Sequence, residues 1–359
     1  MANVHSSKSL VRRFFVAATV VWLTSICVAQ HLEPASPPIA DPRDTRFEGT
    51  KEDWTSPALT SSNLRPLVPL LSNVGDHGSY TLQIVRLQWR YGDPIDLYIS
   101  KPKGVTKPPV VLYLYGFPSD TDRFREDNFQ KMVTKDGVAA VGFLSATTGQ
   151  RYHDRPLKEW FVSELQESLA VSAHDVQMVL NYLANRGDLD MERVGMFAEG
   201  SGASIAILAS AVEPRIKVMD LVDPWGDWPD WLATSPVVPD TERAAYLKPE
   251  FLQKIAPLDP ITWLPRTQAK KMRLQLAMFA PTTPVAVKEK IRAAANLEDG
   301  RMSLAIYKTK QETAPILAGN TILLWIEHEL RALPPAATDD AGKTKADESQ
   351  NPGIRHPGN

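Results

Sequence analysis

One cysteine in 359 residues excludes both an internal disulfide and a thiolate zinc cluster. Charge of one sign is also missing: 40 basic against 42 acidic side chains leave a net charge of −2, so no basic surface drives non-specific nucleic-acid binding. No phosphate-cradling glycine loop, metal-ligand cluster, flavin signature or internal repeat occurs, and neither a cofactor nor a metal is expected. What remains is 43% hydrophobic and 23% charged, a composition that can bury a core in one large domain or two ordinary ones.

The apolar run Phe14 to Ile26 follows Lys8, Arg12 and Arg13 and is shorter than the roughly 20 residues a membrane span needs. Small Ala29, with Cys27 before it, offers a cleavage position, so residues 1–29 read as an export signal. Cleavage there shifts the net charge from −2 to −5 and removes the only thiol. A periplasmic or secreted location and no membrane span after cleavage are the expectations. Residues 30–78 form a leader rich in Pro, Ser and Thr, and 334–359 a tail whose composition predicts disorder.

Between the tails, strand-like and helix-like segments alternate. Tyr80 to Tyr91 and Ile95 to Ser100 flank Gly92-Asp93-Pro94, a hairpin signal. Pro109 to Tyr115 is a continuous apolar run, as expected for a strand buried on both faces. Further strands are expected at Val138–Leu144, Arg193–Ala198, Ile216–Asp223, Arg273–Phe279 and Met302–Tyr307. Helices are expected over Asp127–Lys135, Leu157–Asn185, Ala203–Ala211, Val285–Ala295 and Ala318–Leu333. This alternation predicts a mostly parallel sheet covered on both faces, with a site at the carboxyl ends of its strands.

Three local features resemble the α/β-hydrolases over residues 79–333: a buried strand ending in Tyr115-Gly116-Phe117, the turn Ala198-Glu199-Gly200-Ser201-Gly202 between strand and helix, and a lid-sized insertion, 224–268, after the strand ending at Asp223. In that family the nucleophile sits on a sharp strand-to-helix turn flanked by small residues. Sterics rank the two registers. With Gly200 at the tip, Ala198 and Gly202 flank it and both fit; with Ser201 at the tip, Glu199 occupies the most crowded position. The better register therefore leaves no side chain where the nucleophile belongs. It assigns the Ser201 backbone N–H, with one near Phe117 and Gly116, to an oxyanion hole.

The resemblance also implies an acid after Arg273–Phe279 and a histidine after Met302–Tyr307, and the chain carries neither. Of seven histidines only His153 falls at a strand's carboxyl edge, either as a general base or as a surface-loop residue. Asp223 could orient it or form an Asx turn before Pro224. Glu199 could serve as an acid or base, or pair with Arg151 at the mouth of the site. Trp225, Trp228 and Trp231 could stack on a ligand or pin the insertion to the domain.

Three readings follow. The first is an exported acyl hydrolase, for ester or peptide bonds, in which Ser201, His153 and Asp223 or Glu199 make a non-standard and impaired site. The second is a catalytically silent member of the fold that binds a small molecule, glycan or peptide. The third is an acid–base enzyme led by Glu199. Oligomeric state is left open.

Overall fold

The computed structural model describes residues 52–335 except 63, 91, 118–121, 149–150, 152–160, 296–299 and 320. The export segment, Cys27, His153 and nearly all of the C-terminal tail lie outside the described residues.

The strands are β1 (Leu70–Asp76), β2 (Tyr80–Leu87), β3 (Ile95–Pro102), β4 (Pro109–Leu114), β5 (Ala139–Gly142), β6 (Asp190–Glu199), β7 (Ile216–Val222), β8 (Lys271–Ala277) and β9 (Met302–Tyr307). They form one sheet in the order β1-β2-β3-β5-β4-β6-β7-β8-β9. The first four neighbours in this order pair antiparallel, and the strands from β5 to β9 pair parallel. The predicted hairpin is β2–β3, in register from Tyr80↔Pro102 to Leu87↔Ile95.

Alternation along the central strands divides the core into two layers, because successive side chains of a strand point to opposite faces. Val110, Leu112 and Leu114 of β4 join Met196 and Ala198 of β6 under α2 (Leu165–Ala184) and α3 (Ser201–Val212). Val111 and Tyr113 join Phe197 under α1 (Asp127–Thr134) and α10 (Leu324–Ala332). Both faces are covered, which is why β4 reads as an unbroken apolar run.

Between β7 and β8 come four short helices: α4 (Trp228–Thr234), α5 (Asp240–Tyr246), α6 (Pro249–Ile255) and α7 (Pro260–Trp263). Asp259 ties the two ends of this insertion together by accepting the backbone N–H groups of Asp227, Trp228 and Ile261. Helix α8 (Val285–Ala294) follows β8, and α9 (Lys310–Ala318) follows β9.

Two expectations are corrected. The leader contributes β1, an exposed edge strand, and is anchored by residues 52–62: buried His174 on α2 bonds Glu52 (2.6 Å) and the Ser56 carbonyl (3.0 Å). The closing helix starts later than expected, as α10 at Leu324, and an additional helix, α9, precedes it.

Candidate functional site: a strand-to-helix turn with an empty apex

Strand β6 ends at Glu199, helix α3 begins at Ser201, and Gly200 joins them at φ 54°, ψ −122°. A positive φ is accessible to glycine at little cost. A Cβ built on Gly200 would meet nothing closer than the Trp225 indole nitrogen at 3.5 Å. Two residues on, the space closes: a Cβ on Gly202 would lie 2.5 Å from the Leu114 carbonyl oxygen, and α3 can approach β4 only because no side chain intervenes. Gly116 packs equally hard on the other side of the turn, where a Cβ would stand 2.5 Å from the Glu199 carbonyl oxygen.

Ser201 is buried, and its side chain faces the strand-β4 loop. Its Oγ accepts the backbone N–H of Phe117 (3.1 Å) and the hydroxyl of Thr147 (2.9 Å), which in turn contacts Ser145 Oγ at 3.1 Å. The Phe117 N–H, expected to face an oxyanion, is thus directed at the Ser201 hydroxyl.

Above the turn stands a ladder of rings. Phe117 contacts Phe161 (centroids 5.3 Å), Phe161 stacks on Trp225 (6.1 Å), and Trp225 stacks on Trp231 (4.4 Å), which meets Trp228 edge-on (5.9 Å). All three tryptophans are buried. Trp228 donates to the Leu258 carbonyl within the insertion, and Trp231 donates to the Thr282 carbonyl, which fastens the insertion to the domain. Among the described residues Trp225 Nε1 has no hydrogen-bond partner, and it points at the empty apex.

Asp223 caps β7 with a left-handed φ of 44°. Its Oδ1 accepts the Ala277 N–H (2.9 Å) and lies 3.6 Å from Lys288 Nζ. Burial pushes the Asp223 carboxyl above its ordinary value, with Lys288 and the Ala277 N–H acting against that push. Lys288 is fully buried, donates to the Ala277 and Ala280 carbonyls (2.5 and 2.6 Å), and is lowered by desolvation. The sequence reading missed this lysine. Its signal was the position three residues before Ile291, on the apolar side of α8.

Glu199 points to the opposite face of the sheet. Burial raises its carboxyl, Arg123 opposes the shift, and Asp223 and Asp220 add to it. The expected pairing with Arg151 is not found: Arg151 is buried between Asp93 (2.6 Å) and Asp175. Asp175 also binds Arg90, and Arg90 reaches Glu52 at 2.6 Å, so Arg151 belongs to a buried ionic cluster spanning α2, the hairpin and the leader. Sequence separations of 24 to 85 residues between these partners hide the cluster from any local motif.

No family model matches the chain, and no curated protein matches it either. Solved structures do. An acetyl xylan esterase from Paenibacillus sp. R4 superposes with a TM-score of 0.59 at 16% identity, covering 74% of this chain and 89% of that one. Acetyl xylan esterase 1 from Thermoanaerobacterium sp. JW/SL YS485 gives 0.55 at 14%, covering 73% and 88%. The acylaminoacyl peptidase of Pyrococcus horikoshii gives 0.53 at 14%, covering 77% and 52%.

The fold is that of the α/β-hydrolases. At these identities the likeness concerns the fold alone, and the chemistry has to be argued from this chain's own residues. In the α/β-hydrolase frame Gly200 stands where the nucleophile is expected. The loop after β8, where an acid is expected, carries the carbonyls that Lys288 binds. After β9, Glu312 accepts the Lys308 N–H at the start of α9. The described histidines are engaged elsewhere or at the surface: His77 stacks on Tyr80, His174 holds the leader, and His328 is exposed on α10. Among the described residues, no group of three or more His, Cys, Asp or Glu could hold a metal ion, and no helix is long and apolar enough to cross a membrane.

Proposed function

We propose that this α/β-hydrolase-fold protein is a ligand-binding member without serine-type acyl-hydrolase chemistry. One observation carries the reading: the apex of the turn is Gly200, while the neighbouring Ser201 Oγ is buried and accepts hydrogen bonds from Phe117 and Thr147. A nucleophilic hydroxyl needs a base within about 2.6–3.2 Å to take its proton. Among the described residues the partners of Ser201 Oγ are a backbone amide and a threonine hydroxyl, and neither is a base. A fluorophosphonate probe on the folded protein should give no covalent labelling, and p-nitrophenyl acetate turnover should match a heat-inactivated control.

The Phe117 N–H standing 3.1 Å from Ser201 Oγ supports a second reading, an acyl hydrolase working from Ser201, as does the presence of esterases and peptidases among the structural neighbours. Labelling that disappears in Ser201→Ala would establish that reading and end the first. We further infer export, supported by Lys8, Arg12 and Arg13 before the apolar run to Ile26. N-terminal sequencing of secreted material should begin at Gln30; a start at Met1 would refute cleavage.

A further inference from the structure

A cavity of about 540 Å³ opens between the carboxyl ends of β4 and β6, helix α1 and the segment leading into α10. It lies within the range of small-molecule pockets, about 300–1,000 Å³. It sits on the face of the sheet opposite α2 and α3, so the packing around the turn does not close it. Phe129, Met132, Phe197 and Leu323 supply apolar wall; Tyr115, Arg123, Glu199, Asn128 and Glu126 supply the polar groups.

Two of these carry opposite charges that do not neutralise each other. Among the described residues Glu199, half-buried in the wall, has no side-chain hydrogen bond and no ion pair within 4 Å. The carboxylates of Asp223 and Asp220 act on it with the wrong sign, and Arg123 offsets burial only through space. Arg123, itself exposed, stacks instead over the Tyr115 ring, 5.1 Å from its centroid, which holds the guanidinium plane at the cavity mouth. Glu126 lies at the exposed rim, where water screens it. A carboxylate held in the wall without a partner is costly and its burial favours the protonated form, so a ligand that supplies the missing positive charge stabilises the ionised form and gains by it.

We propose that this cavity binds a small zwitterion, an α-amino acid with an apolar side chain, whose ammonium meets Glu199, whose carboxylate meets the Arg123 guanidinium, and whose side chain lies against Phe129, Met132 and Leu323. Planar guanidinium and carboxylate can form two parallel hydrogen bonds, which gives orientation as well as attraction. The inference deepens the ligand-binding reading and rests on it by naming the ligand class and the place.

The test uses the full-length protein, titrated calorimetrically with L-leucine, with isoamylamine, which lacks the carboxylate, and with 4-methylpentanoate, which lacks the ammonium. Leucine should bind, and each single-charge analogue should bind at least about tenfold more weakly, since each loses a charge-assisted contact. Glu199→Gln should weaken leucine by at least about tenfold while leaving the ligand-free melting temperature unchanged or higher. Arg123→Gln should weaken leucine similarly. No leucine binding to the wild type, or binding that neither substitution alters, would overturn the proposal. Ester turnover in the same preparation reports on the silent-site reading alone, so the two can fail separately.

Discussion

At the scale of single residues, the turn reverses the usual expectation about glycine. Gly200 has the unusual backbone angles but open space around its missing side chain; Gly202 lies in an ordinary helix yet is pressed against a carbonyl. Left-handed strain at a non-glycine residue costs roughly 1–2 kcal/mol. Forcing a methyl group into a packed backbone contact costs about 1–3 kcal/mol or more, because neither wall is a flexible side chain. Gly202→Ala should therefore destabilise the protein more than Gly200→Ala, read as the larger fall in the urea midpoint. Equal falls would mean that α3 can slide away from β4. A second residue-scale consequence concerns Lys288, whose ammonium serves two carbonyls and Asp223. Lys288→Met leaves a buried carboxylate without its cation, and loss of about 3–5 kcal/mol is expected in the same assay. A change below about 1 kcal/mol would show that Asp223 is protonated already or finds water.

At the scale of elements, the leader is held on α2 by charge and hydrogen bonds as well as by the apolar contacts of Leu59 and Leu64. Glu52 receives Arg90 and His174, and Gln177 on α2 binds both the Leu59 N–H and the Pro57 carbonyl. Burial pushes the Glu52 carboxyl up, but the hydrogen bonds and charges of Arg90 and His174 win and lower it to about 2. A carboxyl depressed on folding stabilises the fold above its unfolded value and loses that contribution as pH falls toward the folded one. Between roughly pH 4.5 and pH 2, then, residues 52–62 should detach from α2. Amide hydrogen exchange should show this segment losing protection before β4 and β6 do, and simultaneous loss would refute a separate docking step.

The same contrast explains what could be read along the chain. Strand β4 and helix α3 were legible because complete burial leaves an unbroken apolar record. The turn was legible because crowding selects small residues at fixed offsets. Strand β1 was not, since almost all of its residues are exposed and an edge strand that covers no core has no reason to alternate. Helix α9 carries Pro315 inside it and buries little, which erases the periodic signal. Glu199 stands at the strand's end as expected, but of its two expected roles the pairing with Arg151 fails, because Arg151 meets Asp93 through tertiary packing across 58 residues.

At the scale of the whole molecule, carboxyls raised by burial set the pH at which the fold is most stable. Glu327 on α10 is pushed up to about 8, first by burial and then by its neighbour Asp136. Burial also raises Glu199, Asp223 and Asp259. A group whose folded value exceeds its unfolded one keeps a proton in the native state that the unfolded chain has already released. Its contribution is therefore full below the unfolded value and disappears as pH rises through the folded one. For Glu327 that window runs from about 4.5 to about 8. Glu52 acts with the opposite sign, but only below the same lower limit, so the two windows meet without cancelling. Stability should peak on the acidic side of neutrality and decline toward pH 8. Urea midpoints measured from pH 4 to pH 9 should show that decline, and Glu327→Gln, which keeps the shape and cannot ionise, should flatten much of it while barely changing the midpoint at pH 5. A variant that follows the wild-type curve throughout would remove Glu327 as its cause and leave the slope to the carboxyls at the turn.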